Sequence, residues 1–390
     1  MDDPRVRADP ADSISAGTQW FDLLNRLRTL PISDRPTLYT IQASLIAAVY
    51  AIGLGRLSKG AALLSEAVTM SIDAGLHRSS DTYDLFDHIE EEVRKRTFWC
   101  VYIWDKQLSA HFGRPAVIRL RDCDISEPLP IDDEFITRET ITTPPAGTPC
   151  RMGAFLHVLR TMIVLERVLD VPAPRVPDSD SFLYRASAKY RGYEDLREEE
   201  LLLDENQRSI PTYWGHNSET LQSEDTIRFT QAERLHCVEN FVRMLIYRHR
   251  FAHSAAERIS GATGGEQNEH EQQALFGAHQ TALEIITTHL SVAGKGLMTY
   301  CKSFLLSQRP LSHQRDIDGV HVIHQLTQAG RTLVAVLLNC KTESLQSLIP
   351  SGLDALRSCV GLLRRFSSRY VCGLRSGDMM EEFCRRTCPR

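Results

Sequence analysis

The stretch DHIEEEVRKRTFWCVYIWDKQLSAHFGRP, residues 87–115, carries its own start and stop signals. Asp87 stands where a side-chain oxygen can cap a helix, and Glu90, three residues on, completes a capping box. Gly113 offers the left-handed residue that closes a helix, and Pro115 forbids continuation, so the helix ends close to Phe112. Glu90, Glu91 and Glu92 precede Arg94, Lys95 and Arg96 by four positions each. Every acid therefore shares a helix face with a base, and each pair adds roughly 0.2–0.5 kcal/mol of support. From Thr97 onward the segment turns aromatic, with Phe98, Trp99, Tyr102, Trp104 and Phe112. So many rings cannot fit one buried stripe, and the spacing predicts a central helix packed on more than one side.

Upstream, Leu38, Ile41, Leu45, Ala48 and Ile52 recur at helical spacing, and glycines between Gly53 and Gly60 and at Gly75 divide residues 37–112 into three helices. Downstream, residues 116–147 hold Asp122, Asp124, Glu127, Asp132, Asp133 and Glu134 among Pro128, Pro130, Pro144 and Pro145. This is an extended acidic loop expected to wrap the helical block. Helical patterns return at Met152–Leu169, near Ser181 and Thr230, and then at Gln273–Leu290, Val320–Leu338 and Leu353–Phe366. Residues 259–271, ISGATGGEQNEHE, read as a polar, glycine-rich loop. Strand-like alternation is nearly absent. The expected fold is all-α, a multi-helix domain with long acidic and glycine-rich loops. Its expected divisions are an N-terminal extension, partly disordered, at 1–36; a core at 37–150; a helical continuation of the same domain at 151–258; a flexible loop at 259–272; and a C-terminal helical region at 273–390.

With 390 residues, 42% hydrophobic and 24% charged, the chain has ample material for a core. Its formal net charge of −5 argues against the chain as a whole gripping a phosphate backbone. The N-terminal residues lack the apolar stretch of a secretory signal, and the longest apolar runs are too short to span a bilayer. The protein is expected to be soluble and intracellular, with no membrane partner. Ten cysteines run from Cys100 to Cys388 with no Cys-x-x-Cys pair, so neither a zinc ribbon nor a redox pair is present, and the thiols are expected to be reduced.

Candidate chemistry is sparse. Gly53, Gly55 and Ser58 approach a dinucleotide fingerprint but follow no strand. Gly294-Lys295-Gly296 lacks the Ser or Thr of a phosphate loop. His321 and His324 lie three apart without the glutamate of a zinc-protease signature. Asp132, Asp133 and Glu134 form the strongest enzyme alternative, a magnesium-holding loop of an all-helical enzyme of secondary metabolism. Their proline-marked setting favours a solvated loop instead. No catalytic, cofactor-binding or metal residue is assigned, and no enzyme is expected.

Gly75-Leu76-His77-Arg78, the acid–base run Glu92 to Arg96, Phe98-Trp99, Asp105 and Gly113-Arg114-Pro115 follow one another in a specific order. Asp122-Cys123-Asp124-Ile125 and Pro128 come next. Together they resemble the middle homology region of fungal zinc-cluster transcription factors, closely over residues 39–134 and more loosely at 201–214 and 235–251, where Tyr247-Arg248-His249-Arg250 resembles a recurrent arginine motif. The resemblance implies a nuclear, non-catalytic module that regulates transcription in response to an effector, a partner or a modification. It implies zinc only in an N-terminal binuclear cluster, which this chain lacks, since no cysteine precedes Cys100. DNA contact is then expected only through a missing head or a partner chain, with homo- or heterodimerisation and transcriptional co-regulators as further partners. Within the motif, Arg114 is expected to pin the acidic loop through Asp122 or Asp124, because a planar guanidinium suits a carboxylate. The alternative is an exposed Arg114 in a turn that needs only Gly113 and Pro115.

Overall fold

Four helices precede the acidic loop: α1 (Thr18–Leu27), α2 (Leu38–Gly53), α3 (Leu57–Asp73) and α4 (His88–Phe112). After the loop come α5 (Arg151–Asp170), α6 (Arg197–Ser209), α7 (Ser218–Gln222), α8 (Thr226–Ile259), α9 (Glu269–Gly294), α10 (Val320–Leu338), α11 (Ile349–Arg365) and α12 (Val371–Thr387). This is a computed structural model, and it describes residues 7–9, 11–28, 36–79, 86–171, 195–259, 267–296, 320–366 and 370–387. Among the described residues there is no strand, only isolated bridges at Arg7–Ala16 and Ile136–Ile141. The all-α expectation holds.

The chain divides into two units. The first comprises Met1–Leu159, Thr299–Ile323 and Leu363–Gly377. In it α2 and α3 form a close antiparallel pair, and α4 packs on both. Ile41, Leu45, Ala48 and Ile52 are buried as the helical spacing required. Gly55, at φ 71°, makes the turn between α2 and α3, so the glycine cluster there is an inter-helix connection and not a nucleotide fingerprint. Gly60 has a separate reason to be glycine. A Cβ there would lie 2.6 Å from Ile52 Cγ1 and 3.0 Å from the Ala48 carbonyl oxygen, so any side chain would push the two helices apart.

The second unit comprises Arg160–Met298, His324–Leu362 and Asp378–Arg390. Its main element is the long pair α8 and α9, against which α6 and α7 rest on the α8 side. Phe251, Leu275, Ala278, Val336, Leu345 and Leu348 form one buried cluster of this unit.

The sequence expectations differ from the structure at two places downstream. The polar loop expected at 259–272 is narrower, because α8 includes Ile259 and Asn268 caps α9 by accepting the Glu271 N–H at 2.7 Å. Glycine-rich residues 260–266 lie outside the described residues, as does the helix expected near Ser181. Helix α12 falls in the C-terminal helical region expected at 273–390 but is not placed individually by the sequence pattern; it contains Gly373 and Gly377. Both sit inside the helix, and Gly373 is packed close to Phe366, where a Cβ would lie 2.8 Å from the Phe366 Cβ.

Candidate functional site

Helix α4 begins and ends as its residues dictate. The Asp87 carboxylate accepts the Glu90 N–H at 2.8 Å. At the other end Gly113 adopts φ 65° and its N–H reaches the Ser109 carbonyl. Phe98, Trp99 and Tyr102 are buried and meet edge to face, with centroids 5.4 and 5.3 Å apart. The same helix buries an unusual set of polar groups, Glu92, Lys95, Asp105 and Lys106. Burying charge is costly unless it is paired and hydrogen-bonded, and the acidic loop supplies partners to Glu92, Asp105 and Lys106, while Lys95 pairs with Glu91 on the helix itself.

That loop, residues 116–135, lies along α4 as a strap held almost entirely by side chains. At its start the Asp105 carboxylate accepts the N–H groups of Val117, at 3.0 and 3.1 Å, and Ile118, at 3.0 Å. Lys106, fully buried, donates to Asp105 at 3.2 Å and to the Ile118 carbonyl, and lies 4.6 Å from the Tyr102 ring centroid. Next, the Asp124 N–H reaches the His77 carbonyl, and the Asp124 carboxylate accepts the Ser79 N–H at 2.9 Å with Arg78 at 3.6 Å. The Trp99 indole donates to the Ser126 carbonyl at 2.9 Å. Glu92 accepts the Leu129 N–H at 3.0 Å, and Arg96 donates to the Ile131 carbonyl at 3.0 Å. Finally Asp133 pairs with Arg96, while Asp132 accepts the N–H groups of Arg151 and Met152 at 3.0–3.2 Å and so caps α5 from afar.

Arg96 joins helix and strap. Burial lowers its pKa, but hydrogen bonds to Glu92 and Asp133 outweigh that and hold the guanidinium above its ordinary value. The Glu92 partner is 2.8 Å away and its side chain is only 4% exposed, against 19% for Arg96. Lys95 pairs with Glu91 at 2.6 Å in the same way. The third expected pair does not form as drawn: Arg94 turns to the Ala74 carbonyl at 2.8 Å and stacks over Phe86. These charges are therefore partly buried struts, not the surface pairs of small worth that their spacing alone suggested.

Most motif residues come together. Gly75, at φ 69°, ends α3 and lets the Leu76 N–H reach back to the Ser71 carbonyl, burying Leu76 and presenting His77 and Arg78 to Asp124. Burial first, and Arg78 second, lower the His77 pKa, with Asp124 opposing. Glu92, Arg96, Trp99 and Asp105 grip the strap, and Phe98 fills the core beneath it. Arg114 does not pin the loop. It is exposed beside Pro115, Asp124 is taken by Arg78 and Ser79, and Asp122 lies on the surface 3.9 Å from Arg121. The pin is the buried Asp105 carboxylate, which ties the strap directly after the turn. Sequence reasoning missed Lys106 and the capping role of Asp132. A lysine in the middle of an aromatic run was the available signal for the first.

The magnesium-loop alternative meets a direct correction. Asp132 is committed to backbone N–H groups and Asp133 to Arg96, which leaves Glu134 without a partner acid to share a cation. Among the described residues no group of three or more His, Cys, Asp or Glu side chains is arranged to hold a metal ion.

In the second unit the Tyr247-Arg248-His249-Arg250 motif stitches α8 to its neighbours. Tyr247 donates to Glu200 at 2.6 Å, Arg250 to Glu200 and the Asp195 carbonyl at 2.7 Å each, and Arg248 to Gln328 at 3.0 Å. Burial and the Glu200 hydrogen bond push the Tyr247 hydroxyl up to about 12. These groups are arranged as structural struts.

Comparison with known proteins gives the strap and its helix a context. A sequence profile described as the fungal specific transcription factor domain matches residues 14–173. Pyrimidine pathway regulatory protein 1 of Saccharomyces cerevisiae is 28% identical over 155 residues, 37% of this chain and 17% of that protein. Activator of stress genes 1 of the same yeast is 32% identical over 121 residues, 31% of this chain and 12% of that protein. Nitrogen assimilation transcription factor nirA of Emericella nidulans is 35% identical over 118 residues, 28% of this chain and 13% of that protein. The chain thus spans less than a fifth of the length of these relatives. No solved structure matches. The profile match encloses α1 to α5 and every rung of the strap, so residues 14–173 are similar to the fungal specific transcription factor domain.

Proposed function

We propose that this chain is the regulatory module of a fungal transcription regulator, acting in the nucleus and without catalysis. The observation that carries this reading is the coincidence of the family match with one mechanical unit. Motif residues spread from Gly75 to Asp124, and Asp133 beyond them, converge on α4 and the strap it holds. A helix that shares its buried Glu92, Asp105 and Lys106 with a seated strap offers a seated and a released state of different exposure, the requirement for a switch. In this reading sequence-specific DNA contact is made by a zinc-holding head or a partner chain, and the net charge of −5 supports it. In the described residues no helix is long and apolar enough to cross a membrane, which fits a nuclear site of action.

The test fuses the chain to a heterologous DNA-binding head and reads a reporter gene in a fungal host. The wild-type fusion is expected to set reporter output apart from the head alone, and Arg96→Met, which loosens the strap, to shift it further. A fusion indistinguishable from the head alone, at equal protein level, refutes the regulatory reading. A gel-shift titration of the unfused chain at physiological salt should show no sequence-specific DNA binding.

A further inference from the structure

The described part of the strap beyond its last rung carries a feature that the regulatory reading does not use. The whole chain holds two threonine–proline pairs, Thr143-Pro144 and Thr148-Pro149, and only the second has a cation three residues after the threonine, Arg151. Gly147, at φ 84°, turns the backbone so that Thr148 is presented just before α5. Thr148 and Pro149 are exposed. The Thr148 N–H is used by the Pro145 carbonyl at 3.1 Å, and its hydroxyl has no partner. An exposed, non-helical segment with proline after the acceptor and a base at the third position beyond is the form in which proline-directed protein kinases take their substrates.

We propose that Thr148 is a phosphorylation site of a proline-directed protein kinase and that its phosphate competes with Asp132 for the N-terminus of α5. In the transfer the Thr148 hydroxyl oxygen attacks the γ-phosphorus of ATP. A new O–P bond forms as the bond to the β-phosphate oxygen breaks, ADP leaves, and the hydroxyl proton passes to a base of the kinase. The product carries about −1.5 to −2 charges at neutral pH.

The consequence follows from where the strap ends. The first-turn N–H groups of Arg151 and Met152 are held by the Asp132 carboxylate, 19 and 20 residues upstream, with the Cys150 sulfur beside them, and the Cys150 thiol donates to the Pro130 carbonyl at 3.0 Å. A helix N-terminus with an adjacent arginine attracts a phosphate strongly. A phosphate two residues before the cap position meets the same N–H groups as Asp132 and repels that carboxylate. Asp132 lies between Ile131 and Asp133, the two residues that Arg96 holds. Displacing Asp132 therefore loosens the strap where it is joined to α4. This inference rests on the strap geometry and stands whether or not the module regulates transcription.

The experiment treats the full chain with a proline-directed kinase and magnesium ATP, maps the modified residue by mass spectrometry, and then follows amide hydrogen exchange. One phosphate on Thr148 is expected, with none at that position in Thr148→Ala. Exchange across residues 129–136 and at the start of α5 should rise about tenfold in the phosphorylated chain, matching unphosphorylated Asp132→Ala and leaving α8 and α9 unchanged. Absence of phosphate on Thr148 while other sites in the same chain are modified overturns the proposal. Full phosphorylation of Thr148 with exchange in 129–136 unaltered overturns it equally, because the phosphate would then not reach the cap.

Discussion

Replacing Arg96 by methionine keeps the aliphatic stem and removes the group that three partners share. Glu92 would lose its only cation while its side chain stays 4% exposed, and its second oxygen already has no hydrogen-bond partner. Breaking a fully buried pair by removing one partner costs about 3–5 kcal/mol. Arg96 is 19% exposed, so water reaches part of the vacated space and the lower end applies. The pair with Asp133, an 88% exposed carboxylate, adds about 0–1 kcal/mol. The lost donor to Ile131 adds about 1 kcal/mol, since that carbonyl can turn to water. The whole change is about 4–5 kcal/mol in the unit that contains α4, read by urea unfolding with far-ultraviolet dichroism. Glu92→Gln in the Arg96→Met background removes the orphan charge but keeps an acceptor for the Leu129 N–H, so the double variant should recover about 1–2 kcal/mol. A single variant within 0.5 kcal/mol of wild type, or a double variant no better than the single, would refute the claim that this pair holds the strap.

Three further outcomes are expected. Trp99→Ala should cost about 3–5 kcal/mol in urea unfolding, whereas Trp99→Phe, which keeps a ring but loses the donor to Ser126, should cost about 1–2 kcal/mol; equal effects of the two would mean that the indole N–H is not a rung. Arg114→Ala should leave stability within about 0.5 kcal/mol and exchange at 122–134 unchanged, since its side chain holds nothing; raised exchange there would restore the latch role to Arg114. Stability of the second unit should fall as pH drops from about 6.5 towards 4, because burial lowers His289 and His324 to about 4 and the unfolded chain takes up protons first. His216, raised by its hydrogen bond to buried Glu233, acts in the opposite sense: its contribution is present below about 6.5 and is lost as pH rises through its folded value. Dichroism-monitored urea titrations at pH 4.5, 5.5, 6.5 and 7.5 check both, and His289→Gln should flatten the acid side.

The parts of this fold that were readable in the sequence are those fixed by neighbours along the chain. Asp87, Gly113 and Pro115 act within one or two turns of their own helix, and the structure bears these out, although the Glu90 side chain makes no return bond to complete the capping box. The apolar spacing of α2 likewise needs no knowledge of its partner. Helix α12 is not individually legible for the complementary reason: it contains Gly373 and Gly377, and the close packing of Gly373 on Phe366 is a contact beyond its own turns. The strap was visible as a proline-marked acidic loop but not as a built site, because its rungs join residues 12 to 47 positions apart. Charge pairing from sequence proposed Arg114 as the pin by proximity to the turn. The true pin, Asp105, works through backbone N–H groups, which carry no signal in side-chain identity.

Surface loops generally tolerate added or deleted residues at little thermodynamic cost. The strap between Val117 and Asp133 does not share that freedom. Its rungs are spaced along the chain to match a rigid helix, with Asp124, Ser126, Leu129 and Ile131 each meeting a different fixed side chain or carbonyl. In an extended chain one extra residue turns every later side chain to the opposite face, so a single insertion after Asp124 would carry Leu129 and Ile131 away from Glu92 and Arg96 together. The segment's length is therefore held as tightly as its residue types, and genuine homologues of this domain should vary in composition between these rungs far more readily than in residue count.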